Sequence, residues 1–160
     1  MIILGIDPGT QVTGYGLIKK EGRLVSHVDN GIISPKQKLG LPERLSFIYS
    51  ELLRVIEKFR PNEVSIEDVF VSTNARSALV LGHARGVAVL AASVSGIPVF
   101  EYGSREIKKA LVGYGNAEKS QVAEMVKRLL KLPEVAAPDA ADALAAAVCH
   151  AHSATLDMLA

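Results

Sequence analysis

The sequence predicts an α/β protein built on a mixed β-sheet that helices cover on both faces. The apolar run over residues 2–6 leads directly into Asp7 and a Pro-Gly turn, which is typical of a central strand buried on both faces. Two more strand-like segments follow with no helix between them, and strands then alternate with helices. This order favours a sheet whose first three strands are antiparallel and whose later strands are parallel.

The first half of the chain supplies most of the predicted strands. Strands over residues 12–20 and 23–34 are separated by a tight connection that contains a glycine. Between residues 41 and 59 apolar side chains recur at helical spacing, and this helix must end before Pro61. The apolar-rich stretch over residues 63–69 is predicted to be the next strand.

The second half of the chain is mainly helical. Asn74 is suited to the N-cap of a helix that runs to Ser95. Because this helix is apolar on every side in its second half, we expect one face to pack on the sheet and another on a second subunit. Gly82 and Gly86 would allow another backbone to approach closely. A short strand over residues 99–102 follows. The last predicted helices cover residues 104–112, 118–130 and 139–152.

Composition indicates one globular domain over residues 1–160. A chain of 160 residues can bury about two thirds of its unfolded surface, and with 22% charged residues disorder is not expected. Cys149 is the single cysteine, so an internal disulfide is excluded and a reducing compartment is favoured. No signal peptide is recognisable, and the charge-free stretch over residues 86–100 is shorter than a membrane span. We expect a cytoplasmic protein with no membrane attachment. With a net charge of +1, any nucleic-acid partner must be held by a local patch.

Acidic residues stand at the ends of several predicted elements. Asp7 ends the first strand, and Asp139 and Asp142 share one face at the start of the last helix. Glu67 and Asp68 lie in the strand over residues 63–69. They point to opposite faces, so only one can join Asp7, and spacing alone does not choose between them. Each acid could be a turn or capping residue when taken alone. Together, four acids on otherwise apolar elements favour a metal site.

The chemistry of such a site follows from its charges. Converging carboxylates raise one another's pKa unless cations neutralise them, and all-oxygen ligands favour Mg²⁺ or Mn²⁺. Two such ions about 4 Å apart can activate water and stabilise the leaving oxygen of a phosphodiester. Metal-dependent phosphodiester hydrolysis is therefore predicted. Other candidate side chains lack zinc spacing, a neighbouring base or a triad context and are interpreted as structural. They are His83, His150, His152, Cys149, Ser104 and Ser120.

A series of short motifs runs in a fixed order along nearly the whole chain. The motifs are Gly5-Ile6-Asp7-Pro8-Gly9, Thr13-Gly14-Tyr15-Gly16, Ile66-Glu67 with Val69-Phe70, Asn74-Ala75, Leu81-Gly82-His83-Ala84-Arg85-Gly86, Phe100-Glu101-Tyr102, Val112-Gly113-Tyr114-Gly115, Ala117-Glu118-Lys119-Ser120-Gln121 and Asp139-Ala140-Ala141-Asp142-Ala143-Leu144. Any one motif is weak, but in this order and spacing they closely resemble the RuvC family of Holliday-junction resolvases. Two departures are Gln11, where relatives commonly carry a basic residue, and a sequence that stops at Ala160 without a basic tail.

The resemblance implies a ribonuclease-H-like fold and a homodimeric endonuclease that resolves four-way DNA junctions by paired nicks in recombination and repair. It implies 5′-phosphate and 3′-hydroxyl ends, and a branch-migration complex of the RuvA–RuvB type as a partner. It also implies two Mg²⁺ ions per active site, with Mn²⁺ as an acceptable substitute. The implied metal ligands are Asp7, Glu67, Asp139 and Asp142, which selects Glu67 over Asp68.

The resemblance further implies DNA contacts around this site. The junction-probing aromatic of the family falls on Phe70, and its phosphate-binding lysines fall on Lys108 and Lys119. Taken alone, a Phe at a strand end is usually a core residue and such lysines usually face solvent. Beside a metal site they become candidates for DNA binding. Arg76 and Arg85 are weaker additions to the same surface.

Two other functional classes compete with this interpretation. Actin-like phosphotransferases also carry a Gly-Ile-Asp-x-Gly-Thr pattern, but each of their two lobes is about as large as this entire chain. ATP hydrolysis without DNA would favour that class. The other is a binding module that has lost its catalytic site. All four acids are present, so metal-dependent cleavage would distinguish it at once.

Overall fold

The computed structural model describes residues 1–68 and 74–156. These residues form five strands and five helices around one sheet. In chain order they are β1 (Ile2–Asp7), β2 (Thr13–Glu21), β3 (Leu24–Ile33), α1 (Leu41–Phe59), β4 (Glu63–Asp68), α2 (Ala75–Val94), β5 (Val99–Gly103), α3 (Ser104–Val112), α4 (Lys119–Leu130) and α5 (Pro138–Leu156).

The sheet has the strand order β3-β2-β1-β4-β5 and is mixed, as predicted. The first three strands pair antiparallel along the chain, because short connections join them. β4 then pairs parallel with β1, and β5 pairs parallel with β4. Ile6 of β1 lies opposite Ile66 of β4, so the carboxyl ends of the two central strands meet at one edge of the sheet.

Helices cover both faces of the sheet and make two hydrophobic cores. On one face α5 lies across β1 and β2, with α3 and α4 packed beside it. On the other face α1 and α2 pack together and cover the opposite sides of the central strands. Both cores draw on β1: Ile3 faces α5, whereas Leu4 and Ile6 face α1 and α2. This explains why β1 is apolar throughout instead of alternating.

Glycines in the first two strands let α5 approach the sheet closely. A Cβ atom on Gly5 would lie 1.9 Å from the carbonyl oxygen of Ala143, and one on Gly14 would lie 2.0 Å from that of Asp139. Any side chain at these positions would push the helix away. The glycines therefore bring the first turns of α5 onto the ends of β1 and β2.

Most predicted elements agree with the structure to within one or two residues. Asn74 is the N-cap of α2, and its side-chain oxygen accepts hydrogen bonds from the backbone N–H groups of Arg76 and Ser77 at 3.0 and 3.3 Å. The largest difference is α5, which extends to Leu156 instead of ending at residue 152. No proline or glycine lies between residues 152 and 156 to end it there.

Within the described ranges, α2 is a helix long and apolar enough to span a membrane. The core helix of a globular domain meets the same test. α2 also packs on α1, and Ala88, Ala91 and Ala92 belong to their shared core. Its outward apolar side chains, Leu79, Leu90 and Val94, are more than half exposed. This face of α2 has no cover within one copy of the described chain.

Candidate metal and phosphate site

Neighbouring elements bring the four predicted acids to the same edge of the sheet. Asp7 is the last residue of β1, and Glu67 lies one residue beyond Ile66, which pairs with Ile6 on β1. Asp139 and Asp142 lie in the first turns of α5, and the backbone of Asp139 rests directly on Gly14, the β2 residue paired with Asp7. The apolar strand and the glycine-mediated contact therefore place carboxylates from β1, β4 and α5 close enough to repel one another.

The structure separates Glu67 from Asp68. Glu67 lies on the same face of β4 as Ser65, whose hydroxyl donates to the carbonyl of Ala146 in α5. Asp68 lies on the opposite face, where Arg85 of α2 contacts both Asp68 (Nη2 to Oδ1, 3.4 Å) and Glu101. Glu67 thus faces α5 together with the other three acids. Asp68 instead forms an ion pair with Arg85 of α2, which also contacts Glu101 of β5.

Burial and charge repulsion act together on Asp7. Loss of hydration by burial, followed by repulsion from the carboxylates of Asp142, Glu67 and Asp139, raises the pKa of Asp7 from 3.8 to about 7. The ammonium group of Lys119 opposes this shift. Near neutral pH, added positive charge would therefore stabilise the ionised carboxylate of Asp7.

Two lysines flank the acids. Nζ of Lys119, at the start of α4, donates a 2.7 Å hydrogen bond to Oδ2 of Asp142. This contact raises the pKa of Lys119 above its ordinary value, so the side chain stays charged. Lys108 of α3 lines the same pocket as Glu67, Lys119 and Asp142. The pocket therefore joins two of the acids to two cations.

The acids fit a hard divalent cation by donor chemistry. Four carboxylates offer oxygen ligands only, and their mutual repulsion, seen at Asp7, would be relieved by a cation. Among residues 1–68 and 74–156, no three His, Cys, Asp or Glu side chains are already gathered as a metal cage. Glu67 accepts from Ser104, and Asp142 accepts from Lys119. Coordination would therefore require these two contacts to rearrange or to be shared.

Ser104, which the sequence analysis interprets as structural, lies in this pocket. Its hydroxyl donates to Oε1 of Glu67, and it lines the pocket with Lys108 and Asp142. The available signal was positional: a parallel strand next to β4 ends at Gly103 and passes straight into α3, so Ser104 had to lie near the end of β4. The spacing of a catalytic triad along the sequence carries no such information.

The remaining predicted residues lie in several places. Arg76 is exposed in the first turn of α2 and lines a groove with Thr10, close in sequence to Asp7. Phe70 lies outside the described residues. Cys149 is fully buried, and burial raises its pKa to about 12, as suits an unreactive structural thiol. Arg85 is tied to Asp68 and Glu101 instead of pointing to the acids around Asp7.

Comparisons with known proteins match almost the entire chain to one family. A family model described as "Crossover junction endodeoxyribonuclease RuvC" matches residues 3–150. A protein of that name from Citrifermentans bemidjiense is 55% identical over 159 residues, covering 99% of this chain and 97% of the relative. Another from Syntrophotalea carbinolica is 57% identical over 152 residues, covering 95% and 94%. A solved structure, T. thermophilus RuvC in complex with Holliday junction substrate, superposes with a TM-score of 0.91 at 34% identity and covers 98% and 96% of the two chains.

Proposed function

The chain belongs to the RuvC family of crossover junction endodeoxyribonucleases and resolves four-way (Holliday) DNA junctions in recombination and repair, and we propose that its metal-dependent chemistry is centred on the acids around Asp7. The predicted ribonuclease-H-like fold is confirmed by the superposition on the junction-bound relative. Asp7, Glu67, Asp139 and Asp142 are the proposed ligands of two Mg²⁺ ions, for which Mn²⁺ can substitute. The observation that carries this proposal is the convergence of these acids: burial, followed by repulsion from Asp142, Glu67 and Asp139, raises the pKa of Asp7 to about 7.

Different residues of the chain would have different roles in phosphodiester hydrolysis. Bound divalent ions would supply an activated water and neutralise the leaving oxygen. The carboxylates of β1, β4 and α5 would hold those ions, and the hydroxyl of Ser104 would orient Glu67. Lys108 and Lys119 line the adjacent pocket and would bind oxygens of the DNA backbone. In-line attack by water at phosphorus with the 3′ oxygen leaving gives the 5′-phosphate and 3′-hydroxyl ends that we propose.

A second copy of the chain is the proposed cover for the outer face of α2. Leu79, Leu90 and Val94 are exposed on this helix, and a Cβ added at Gly82 or Gly86 would meet nothing within 4 Å. Two copies related by a twofold axis would bring identical α2 faces together. A four-way junction has two strands to cut, so a twofold pair of active sites accounts for paired nicks.

Other parts of the proposal concern DNA, cellular partners and domain organisation. Arg76, in the first turn of α2, and Phe70, which lies outside the described residues, are both proposed DNA contacts. A branch-migration complex of the RuvA–RuvB type is the proposed partner on the junction. Residues 1–160 are proposed to act as one nuclease domain in the cytoplasm.

Junction cleavage with and without metal tests the central proposal. Labelled four-way DNA and linear duplex of the same sequence are incubated with the protein in EDTA, in Mg²⁺ and in Mn²⁺. We expect paired nicks in the junction only when a divalent ion is present, with ends that a ligase can rejoin. Cleavage in EDTA, or equal cleavage of linear duplex, would contradict it.

A further inference from the structure

His150 is a buried imidazole in the second half of α5, about two turns beyond Asp142, and both of its ring nitrogens have partners. It is 2% exposed, and its two ring nitrogens lie 2.6 Å from Oε2 of Glu63 and 2.6 Å from the hydroxyl of Tyr102. The ring of Phe100 stacks on it with centroids 4.3 Å apart. One side chain of α5 is thereby bound to both β4 and β5.

Both ring nitrogens of His150 are engaged, each by a different strand. Nε2 contacts the carboxylate of Glu63 on β4, and Nδ1 contacts the hydroxyl of Tyr102 on β5. Because hydrogen bonds are directional, the two contacts together fix the rotation of the ring and the position of the helix turn that carries it.

Residues of α5 and β4 meet at three evenly spaced positions. At one end Asp142 and Glu67 line a common pocket, in the middle Ser65 donates to the carbonyl of Ala146 at 2.8 Å, and at the other end His150 meets Glu63. Four residues of helix advance about 6 Å. Two residues of strand advance about 6.6 Å. Helix and strand therefore stay in step from the acids to His150.

Polar contacts between α5 and the sheet matter because the apolar side chains there are small and interlock little. Where α5 crosses the sheet, most of its buried residues are alanines, with Leu144 and Val148 among them, and Gly5, Gly14 and Gly16 lie directly beneath the helix. Small side chains interlock little along the helix axis, so packing alone specifies the axial position of α5 weakly. The hydroxyl of Ser65 and the ring of His150 supply directional contacts that packing lacks.

We propose that His150, held by Glu63 and Tyr102, is a positioning residue that sets the axial placement of α5 and thereby the spacing of Asp142 and Asp139 from Glu67. The inference rests on the proposed function, since it assumes that these acids bind metal. His150 touches neither the acids nor the substrate. It acts through about 12 Å of helix between residues 150 and 142.

Metal binding by DNA-free protein tests this role without relying on catalysis. Mn²⁺ binding to the full chain is measured by calorimetry for the wild type, Glu63→Ala, Glu63→Gln and His150→Ala. We expect about tenfold weaker binding for both alanine variants, the lower end of the loss caused by removing an outer partner of a metal ligand. Glu63→Gln retains an acceptor for Nε2 and should bind Mn²⁺ like the wild type.

A buried control separates positioning from general destabilisation. Val148→Ala removes a fully buried side chain from the same helix but leaves the three polar contacts intact, so it should lower the melting temperature without weakening Mn²⁺ binding. Glu63→Ala binding Mn²⁺ as tightly as the wild type would overturn the inference. The Glu63 pair decides the matter if His150→Ala does not fold, because the Glu63 side chain is partly exposed. A wild type that cleaves junctions in EDTA would instead refute the proposed function.

Discussion

Lys119 donates a 2.7 Å hydrogen bond from Nζ to Oδ2 of Asp142, which places a fixed cation against one of the four acids. Its own side chain is 80% exposed, so DNA can reach it, whereas that of Asp142 is 17% exposed. The same ammonium group lowers the pKa of Asp7, in opposition to the other acids. Lys119 therefore partly neutralises the site and would have to share Asp142 with an incoming metal ion.

Lys119→Gln should separate phosphate binding from metal binding. Single-turnover cleavage should fall about 10- to 100-fold, because a charged hydrogen bond is worth about 1.5–3 kcal/mol. Mn²⁺ binding measured by calorimetry should not weaken, because the variant removes a competitor for Asp142. Lys127→Gln, near the far end of α4, serves as the charge-matched control and should cleave normally. A parallel loss of metal affinity in Lys119→Gln would contradict the assigned role.

Asp7→Asn should abolish cleavage while junction binding survives. The substitution removes a proposed metal ligand, yet it also removes a negative charge near DNA, so attraction to phosphates is not weakened. Gel-shift binding and cleavage of a labelled junction in Mg²⁺ measure the two effects. Asp68→Asn is the matched control, because Asp68 faces Arg85 instead of the acids and should retain cleavage. Nicking by Asp7→Asn at the wild-type rate would refute the metal-site assignment.

The raised pKa of Asp7 predicts a pH dependence of stability in metal-free protein. Folding favours the protonated form of this acid, so its stabilising effect is fully present below pH 3.8 and is lost as pH rises through about 7. The shift corresponds to at most about 4 kcal/mol. Thermal melting in EDTA should show Asp7→Asn gaining stability over the wild type between pH 4 and pH 8. Adding Mg²⁺ at pH 8 should stabilise the wild type more than the variant, and parallel melting curves would count against both expectations.

The helices and strands could be predicted from the sequence where capping residues and the apolar pattern indicate the same element. The helix over residues 104–112 was predicted with the bounds that α3 has, and Asn74 was placed correctly as the N-cap of α2. The antiparallel start of the sheet was predicted from three successive strands with no helix between them. The end of α5 was placed too early because no proline or glycine marks it.

Which residues belong to the site was harder to predict from the sequence. The choice of Glu67 over Asp68 depends on which face of β4 meets α5, and a strand pattern does not specify that face. Ser104 and His150 contact residues 37 and 87 positions away, so their roles depend on strand order. Without the family resemblance, the sequence supports a cluster of acids but not its full membership.

Ser104→Ala should slow cleavage moderately by releasing the carboxylate of Glu67. A lost hydrogen bond is worth about 0.5–1.5 kcal/mol, which corresponds to about a 2- to 10-fold lower rate. The effect should shrink at saturating Mg²⁺ if the hydroxyl orients Glu67 for metal binding. Single-turnover rates across a Mg²⁺ titration measure it, with Ser50→Ala on the exposed side of α1 as control. An equal loss at every Mg²⁺ concentration would argue against orientation of a metal ligand.

Leu90→Asp should convert the proposed dimer into a folded monomer. Leu90 is 52% exposed on the outer face of α2, so a carboxylate there costs little in one copy but would be buried, unpaired, between two. Val87 of the same helix packs instead against the core between α1 and α2, so Val87→Asp should lower the melting temperature. Sedimentation at micromolar concentration, combined with thermal melting, distinguishes the two variants. If Leu90→Asp remains a dimer of unchanged stability, the outer face of α2 is not the interface. If Leu90→Asp is a monomer that still binds junctions but has lost paired nicking, the twofold arrangement of active sites is supported.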